Sequence, residues 1–127
     1  MKIKICGIRT LSDANVINAY APDYTGFVFA PSKRQVTAFE AMKLRKAINA
    51  KTECVGVFTD TSPEDIAILF DYGVIQAAQL HGSQNDDFLA KLKSFGVPII
   101  QAIRFGKGDS PSELADYLLY DGANPGS

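Results

Sequence analysis

Cys54-Val55-Gly56-Val57-Phe58-Thr59, then Ser62-Pro63-Glu64-Asp65 leading into Ile66, Leu69 and Phe70, then Gly73 and the run Ile75-Gln76-Ala77-Ala78-Gln79-Leu80-His81, make one strand–helix–strand unit within residues 54–81. The two outer runs are short, apolar and β-branched, as strands are. Between them Ser62 offers an N-cap, Pro63 suits the first helical position, and Glu64 and Asp65 sit where the helix dipole favours carboxylates. Ile66, Leu69 and Phe70 repeat at helical spacing, and Gly73 stands where a helix ends.

The same unit recurs outward in both directions. Six apolar runs, Lys2–Cys6, Tyr24–Ala30, Cys54–Thr59, Ile75–His81, Pro98–Phe105 and Tyr117–Asp121, are spaced at the interval of a βαβ repeat. Thr37-Ala38-Phe39-Glu40 and Ser110-Pro111-Ser112-Glu113 read as capping boxes, and Ser12 and Ser83 as further helix caps. Phe88, Leu89, Leu92 and Phe95 form another apolar stripe, closed by Gly96 and Pro98. The pattern predicts six strands with five intervening helices and a parallel sheet with right-handed crossovers. An open doubly wound sheet is the rival architecture, but it usually advertises a glycine-rich loop after its first strand. Here that strand ends Cys6-Gly7-Ile8-Arg9-Thr10, with one glycine. At about 21 residues per strand, a chain of eight strands approaches the lower end of the ~200–400 residues of a (β/α)8 barrel. The expected fold is therefore α/β: an incomplete TIM barrel over residues 1–127 as a single domain, strands seven and eight absent.

Composition bounds the partners. The 127 residues carry 13 basic and 14 acidic side chains for a net charge of −1, and 46% of them are hydrophobic. Such a chain can build a core, and interspersed charge gives no footprint for nucleic acid. No apolar run is long enough to span a membrane, and the short alternating N-terminus does not resemble a signal peptide, so the expected location is cytoplasmic. Cys6 and Cys54 lie 48 positions apart and the chain has a single histidine, a spacing that suits neither a zinc site nor a disulfide framework.

Polar side chains gather where strands end. Lys4 and Cys6 share one face of the first strand, Gln79 and His81 one face of the fourth. Arg104 nearly ends the fifth and Asp121 ends the sixth. In α/β folds that rim is where ligands bind. Each residue also has a plainer reading. A strand cysteine is often a small buried hydrophobe, which suits Cys54, at the start of its strand, better than Cys6. Asp121 before Gly122 could start a turn, and Ser32-Lys33-Arg34 could be a solvated loop. Placement alone names no reaction.

Lys4-Ile5-Cys6-Gly7-Ile8, Gly26-Phe27-Val28-Phe29-Ala30-Pro31-Ser32-Lys33-Arg34, Val55-Gly56-Val57-Phe58, Gln79-Leu80-His81-Gly82 and Leu118-Leu119-Tyr120-Asp121 resemble, in order and spacing, the phosphoribosylanthranilate isomerase family. The resemblance implies an Amadori, aldose-to-ketose isomerisation of N-(5′-phosphoribosyl)anthranilate in tryptophan biosynthesis, with no metal or organic cofactor. It implies Cys6 as general base and Asp121 as general acid, with Arg34 receiving the anthranilate carboxylate. His81 and Arg104 are expected to line the substrate pocket. A cysteine base works as the thiolate, whose ordinary pKa is about 8.5, so positive potential is needed; Lys4, two residues away on the same face, is the candidate. Asp121 must instead stay partly protonated.

Family members continue beyond this point into further strands whose loops grip phosphate. The expectation is therefore a chain inactive or weak by itself, with open sheet edges that favour homo-oligomers. The competing expectations are a non-catalytic, self-associating unit and an open-sheet small-molecule binder. The latter would need a phosphate nest, for which only Gly126-Ser127 offers.

Overall fold

The computed structural model describes residues 3–81, 84–104 and 109–121, with Asp121 described by its backbone alone. Its elements follow in the order β1 (Lys4–Cys6), α1 (Leu11–Tyr20), β2 (Tyr24–Val28), α2 (Ala38–Ala47), β3 (Glu53–Phe58), α3 (Pro63–Asp71), β4 (Ala77–Leu80), α4 (Asp86–Ser94), β5 (Ile99–Arg104) and β6 (Tyr117–Asp121). The strands make one sheet in the order β1-β2-β3-β4-β5-β6, every pair parallel. That order decides between the two architectures. A doubly wound sheet reverses its order at a switch point, whereas a barrel wall adds each strand beside the last.

One contact shows that the sheet curls. Lys4 Nζ on β1 donates to Gln79 Oε1 on β4. Three strand spacings in a flat sheet amount to about 14 Å, more than these two side chains bridge. The concave face must bring β1 and β4 together, as the inside of a barrel does.

The convex face carries the helices. Phe27, Cys54, Phe58, Ala78, Leu80 and Ile99 of the strands pack in one buried cluster with Ile17, Leu44, Ile66, Leu69, Leu89 and Leu92 of the helices. Burying each of the larger side chains contributes about 1.5–3 kcal/mol. Cys54 is indeed a buried residue here. Arg45 Nη1 donates to its sulfur at 2.8 Å and to the Thr52 carbonyl at 2.8 Å, tying the end of α2 to the start of β3.

Several helix starts follow the sequence and others do not. Thr37 with Glu40, and Ser62 with Pro63 behind it, cap α2 and α3 as expected. Thr10, not Ser12, caps α1: its hydroxyl accepts from Asp13 N while the Asp13 carboxylate accepts from Thr10 N, and Ser12 lies inside the helix. Asn85 caps α4, accepting from Phe88 N at 2.9 Å; Ser83 lies outside the described residues.

Four helices are present among the described residues where five were expected. Ser110-Pro111-Ser112-Glu113 does not open a helix. Ser112 N donates to Gln101 Oε1 at 2.8 Å, Gln101 Nε2 donates to the Ser110 carbonyl at 3.2 Å, and Asp116 Oδ2 accepts from Ile99 N at 2.8 Å. The buried amide of Gln101 thus takes up the backbone groups that a first helical turn would use. The few residues left before β6 are too short a run to offset helix nucleation.

β1 and β6 end the sheet, each with one strand neighbour among the described residues. Tyr117, Leu118, Leu119 and Tyr120 of β6 are 62, 40, 42 and 54% exposed. Below the rim, Lys4, Val55, Ala77, Gln79, Ile100 and Leu119 border a cavity of about 450 Å³ on the concave face.

Candidate active site

Parallel strands all end on the same side, so the last residues of β1 to β6 share one rim. There Cys6 of β1, Arg34 of the β2–α2 loop, His81 after β4 and Arg104 of β5 border a single cavity of about 580 Å³, with Ser32, Thr59 and Gln79 also in its wall. Four of the five residues singled out in the sequence are therefore brought together. The fifth, Asp121, ends β6 in register with Arg104, so its backbone stands on the same rim. Its side chain lies outside what is described.

Cys6 is exposed at the end of β1, opposite Gly26 of β2. The half-buried Lys4 stands two residues before it. Burial holds the Lys4 ammonium below its ordinary pKa, and the charge of Cys6 acts in the opposite direction.

Arg34 is held from below. Its Nη1 donates to the Gly7 carbonyl at 3.0 Å, and Ser32 Oγ accepts from its backbone N–H at 3.1 Å. Gly7 has φ +83°, and a Cβ there would come within 2.6 Å of Arg34 Cδ. A side chain at position 7 is thus opposed twice, by backbone conformation and by the arginine laid over it. Arg9 Nη1 donates to the Lys33 carbonyl at 2.7 Å, clipping the loop that carries Arg34 to the loop after β1.

Arg104 is already engaged. Its Nε and Nη2 donate to the two Asp109 carboxylate oxygens at 3.0 and 3.3 Å, and its backbone N–H donates to Asp109 Oδ2 at 2.9 Å. These hydrogen bonds raise the pKa of Arg104 and lower that of Asp109, which also feels His81. Arg104 therefore borders the cavity as half of a bidentate pair.

Three contributors escaped the sequence reading. Asp109 sits in a stretch without periodicity, and nothing in Gly-Lys-Gly-Asp-Ser signals an arginine partner. Arg9 stood outside every motif-bearing strand. Gly26 did carry a signal, since a glycine inside a strand pattern marks a close backbone approach.

A family model described as N-(5'phosphoribosyl)anthranilate (PRA) isomerase matches residues 3–123. The N-(5'-phosphoribosyl)anthranilate isomerase of Lachnoclostridium phytofermentans is 40% identical over 126 residues, covering 95% of this chain and 58% of the relative. That of Streptococcus mutans serotype c is 39% identical over 127 residues, covering 99% and 64%. Among solved structures, phosphoribosyl anthranilate isomerase from Thermus thermophilus superposes with a TM-score of 0.81 at 37% identity, over 100% of this chain and 65% of that one. A second isomerase, in complex with reduced 1-(o-carboxyphenylamino)-1-deoxyribulose 5-phosphate, gives 0.78 at 27% identity, over 96% and 65%. The chain thus spans about three-fifths of the length of the curated relatives it matches.

Proposed function

The chain belongs to the N-(5'-phosphoribosyl)anthranilate isomerase family, and from that premise we propose that its rim carries the two proton-transfer groups of the family's aldose–ketose isomerisation. The substrate is N-(5-phosphoribosyl)anthranilate, the product 1-(2-carboxyphenylamino)-1-deoxyribulose 5-phosphate, and the setting tryptophan biosynthesis. Cys6 acts as general base and Asp121 as general acid. The observation that supports this most is the gathering of Cys6 and Arg34 around one cavity on the rim where β6 also ends at Asp121.

The chemistry needs an acid and a base. A proton from Asp121 reaches the furanose ring oxygen as the bond from C1′ to that oxygen breaks and the nitrogen lone pair forms the C1′ iminium. The Cys6 thiolate then takes the proton from C2′, and the C–H electron pair becomes the C1′=C2′ bond of an enolamine. Loss of the C2′ hydroxyl proton and protonation at C1′ give the ketose. Such transfers contribute about 10²–10⁴-fold each. Lys4 stands two residues before Cys6 on the same strand, below the rim. Arg34 offers a planar donor fork for the anthranilate carboxylate. His81 and Arg104 line the substrate pocket, Arg104 while paired to Asp109.

By itself the 127-residue chain turns over weakly or not at all, because phosphate binding energy that orients the sugar is supplied in TIM barrels by loops after the seventh and eighth strands. The test is a turnover assay of the chain alone and mixed with a polypeptide matching the part of a relative that lies beyond the stretch this chain covers. Turnover in the mixture, with an Arg34→Lys variant raised in KM more than lowered in kcat, is the expected result. A mixture as inert as the chain alone would contradict it.

A second reading, a non-catalytic unit that self-associates into homo-oligomers, is favoured by one observation: the four consecutive exposed apolar residues of β6 on a sheet edge.

A further inference from the structure

Cys6 and Gly26 are register partners on β1 and β2. A Cβ built on Gly26 would lie 2.6 Å from Cys6 Sγ, closer than real Cβ contacts come, and 3.4 Å from Cys6 Cα and Cβ. Gly26 is not among the residues with positive φ, so its backbone would accept an alanine without strain. Glycine is a poor strand residue, and here conformation does not require it. Space does. The Gly26 carbonyl also accepts from Gly7 N at 3.0 Å and Ile8 N at 3.3 Å, so the turn that follows Cys6 is pinned to the same residue.

We propose that Gly26 is a positioning residue for the Cys6 thiol: the place of its missing side chain is the seat in which the sulfur lies, and its carbonyl fixes the backbone that delivers the sulfur to the cavity. The catalytic consequence rests on the isomerase reading; the seating does not.

Two measurements on the 127-residue chain test it. Iodoacetamide alkylation of Cys6 is followed against pH in the parent and in Gly26→Ala, with the buried Cys54 as an internal control for folding. Melting temperatures are compared for the parent, Gly26→Ala, Cys6→Ala and the double variant. The added methyl displaces the sulfur, so the plateau alkylation rate of Cys6 changes by about threefold or more. Gly26→Ala lowers the melting temperature by about 5 °C or more beside Cys6, through overpacking. In the Cys6→Ala background the same change is neutral or stabilising, because the clash is gone and a strand glycine has been removed. Should Gly26→Ala alone fail to fold, the double variant decides: a folded double variant supports the seat, and an unfolded one overturns it. An unchanged alkylation profile with equal melting losses in both backgrounds also overturns it. If the seat is confirmed while Cys6→Ser keeps full turnover in the mixed assay, the assignment of Cys6 as general base fails and the seating stands.

Discussion

The two thiols of this chain are set apart by their surroundings. Cys6 is exposed on the rim, whereas Cys54 is buried and its pKa is pushed up from 9.0 to about 11, chiefly by desolvation, with Arg45 opposing. A raised acid pKa means the folded chain keeps a proton that the unfolded chain loses. The contribution to stability is therefore complete below pH 9 and disappears as pH rises towards about 11, amounting to about 2–3 kcal/mol. Urea unfolding between pH 8 and 11 should show this decline, and Cys54→Ala should flatten it. A slope unaltered by that substitution would put the alkaline loss elsewhere. How far single residues could be read beforehand follows the same division. Cys6, Arg34 and Asp121 stood in recognisable motifs, and Cys54 was legible as a core residue. Arg104 was legible as a rim residue, but its pairing with Asp109, five residues on in a stretch without periodicity, was not.

Elements were legible where a local pattern had no tertiary competitor. All six strands fall within a residue or two of their apolar runs. Strands β2 to β5 are largely buried on both faces and so are mostly apolar, whereas β1 and β6 were legible from strand-forming residue types alone. The absent fifth helix marks the opposite case, where the amide of Gln101, nine positions upstream, captured the backbone of a segment whose letters spell a cap. At α1 two hydroxyl residues competed, and Thr10 prevailed because Asp13 stands three residues on and closes the box. Thr10→Ala should therefore cost about 1 kcal/mol in denaturant unfolding, against a few tenths for Ser12→Ala. Equal losses from the two would remove Thr10 as the cap. The cost would also be felt on the rim, since Asp13 accepts from Arg9 N at 2.9 Å and Arg9 holds the Arg34 loop.

Taken as one body, the described residues form a curled wall whose strand ends share one polar rim. Lys4 and Gln79 join across the concave face, while Ile100, Leu118 and Leu119 line it nearer β6. Apolar side chains at a strand edge favour pairing with another chain. Light scattering at micromolar concentration should find dimers or larger species, and a strictly monomeric chain would contradict the self-associating reading. In the proposed reaction one thiol and one carboxyl, carried on β1 and β6, move the protons of a sugar isomerisation. Steady-state turnover of N-(5-phosphoribosyl)anthranilate in the complemented mixture tests it most directly, with Cys6→Ser and Asp121→Asn measured singly and together. Each substitution should lower kcat by about 10²-fold or more with KM little changed, and the double variant should fall short of the product of the two losses. Turnover by Cys6→Ser or Asp121→Asn at the parent rate would contradict the assignment.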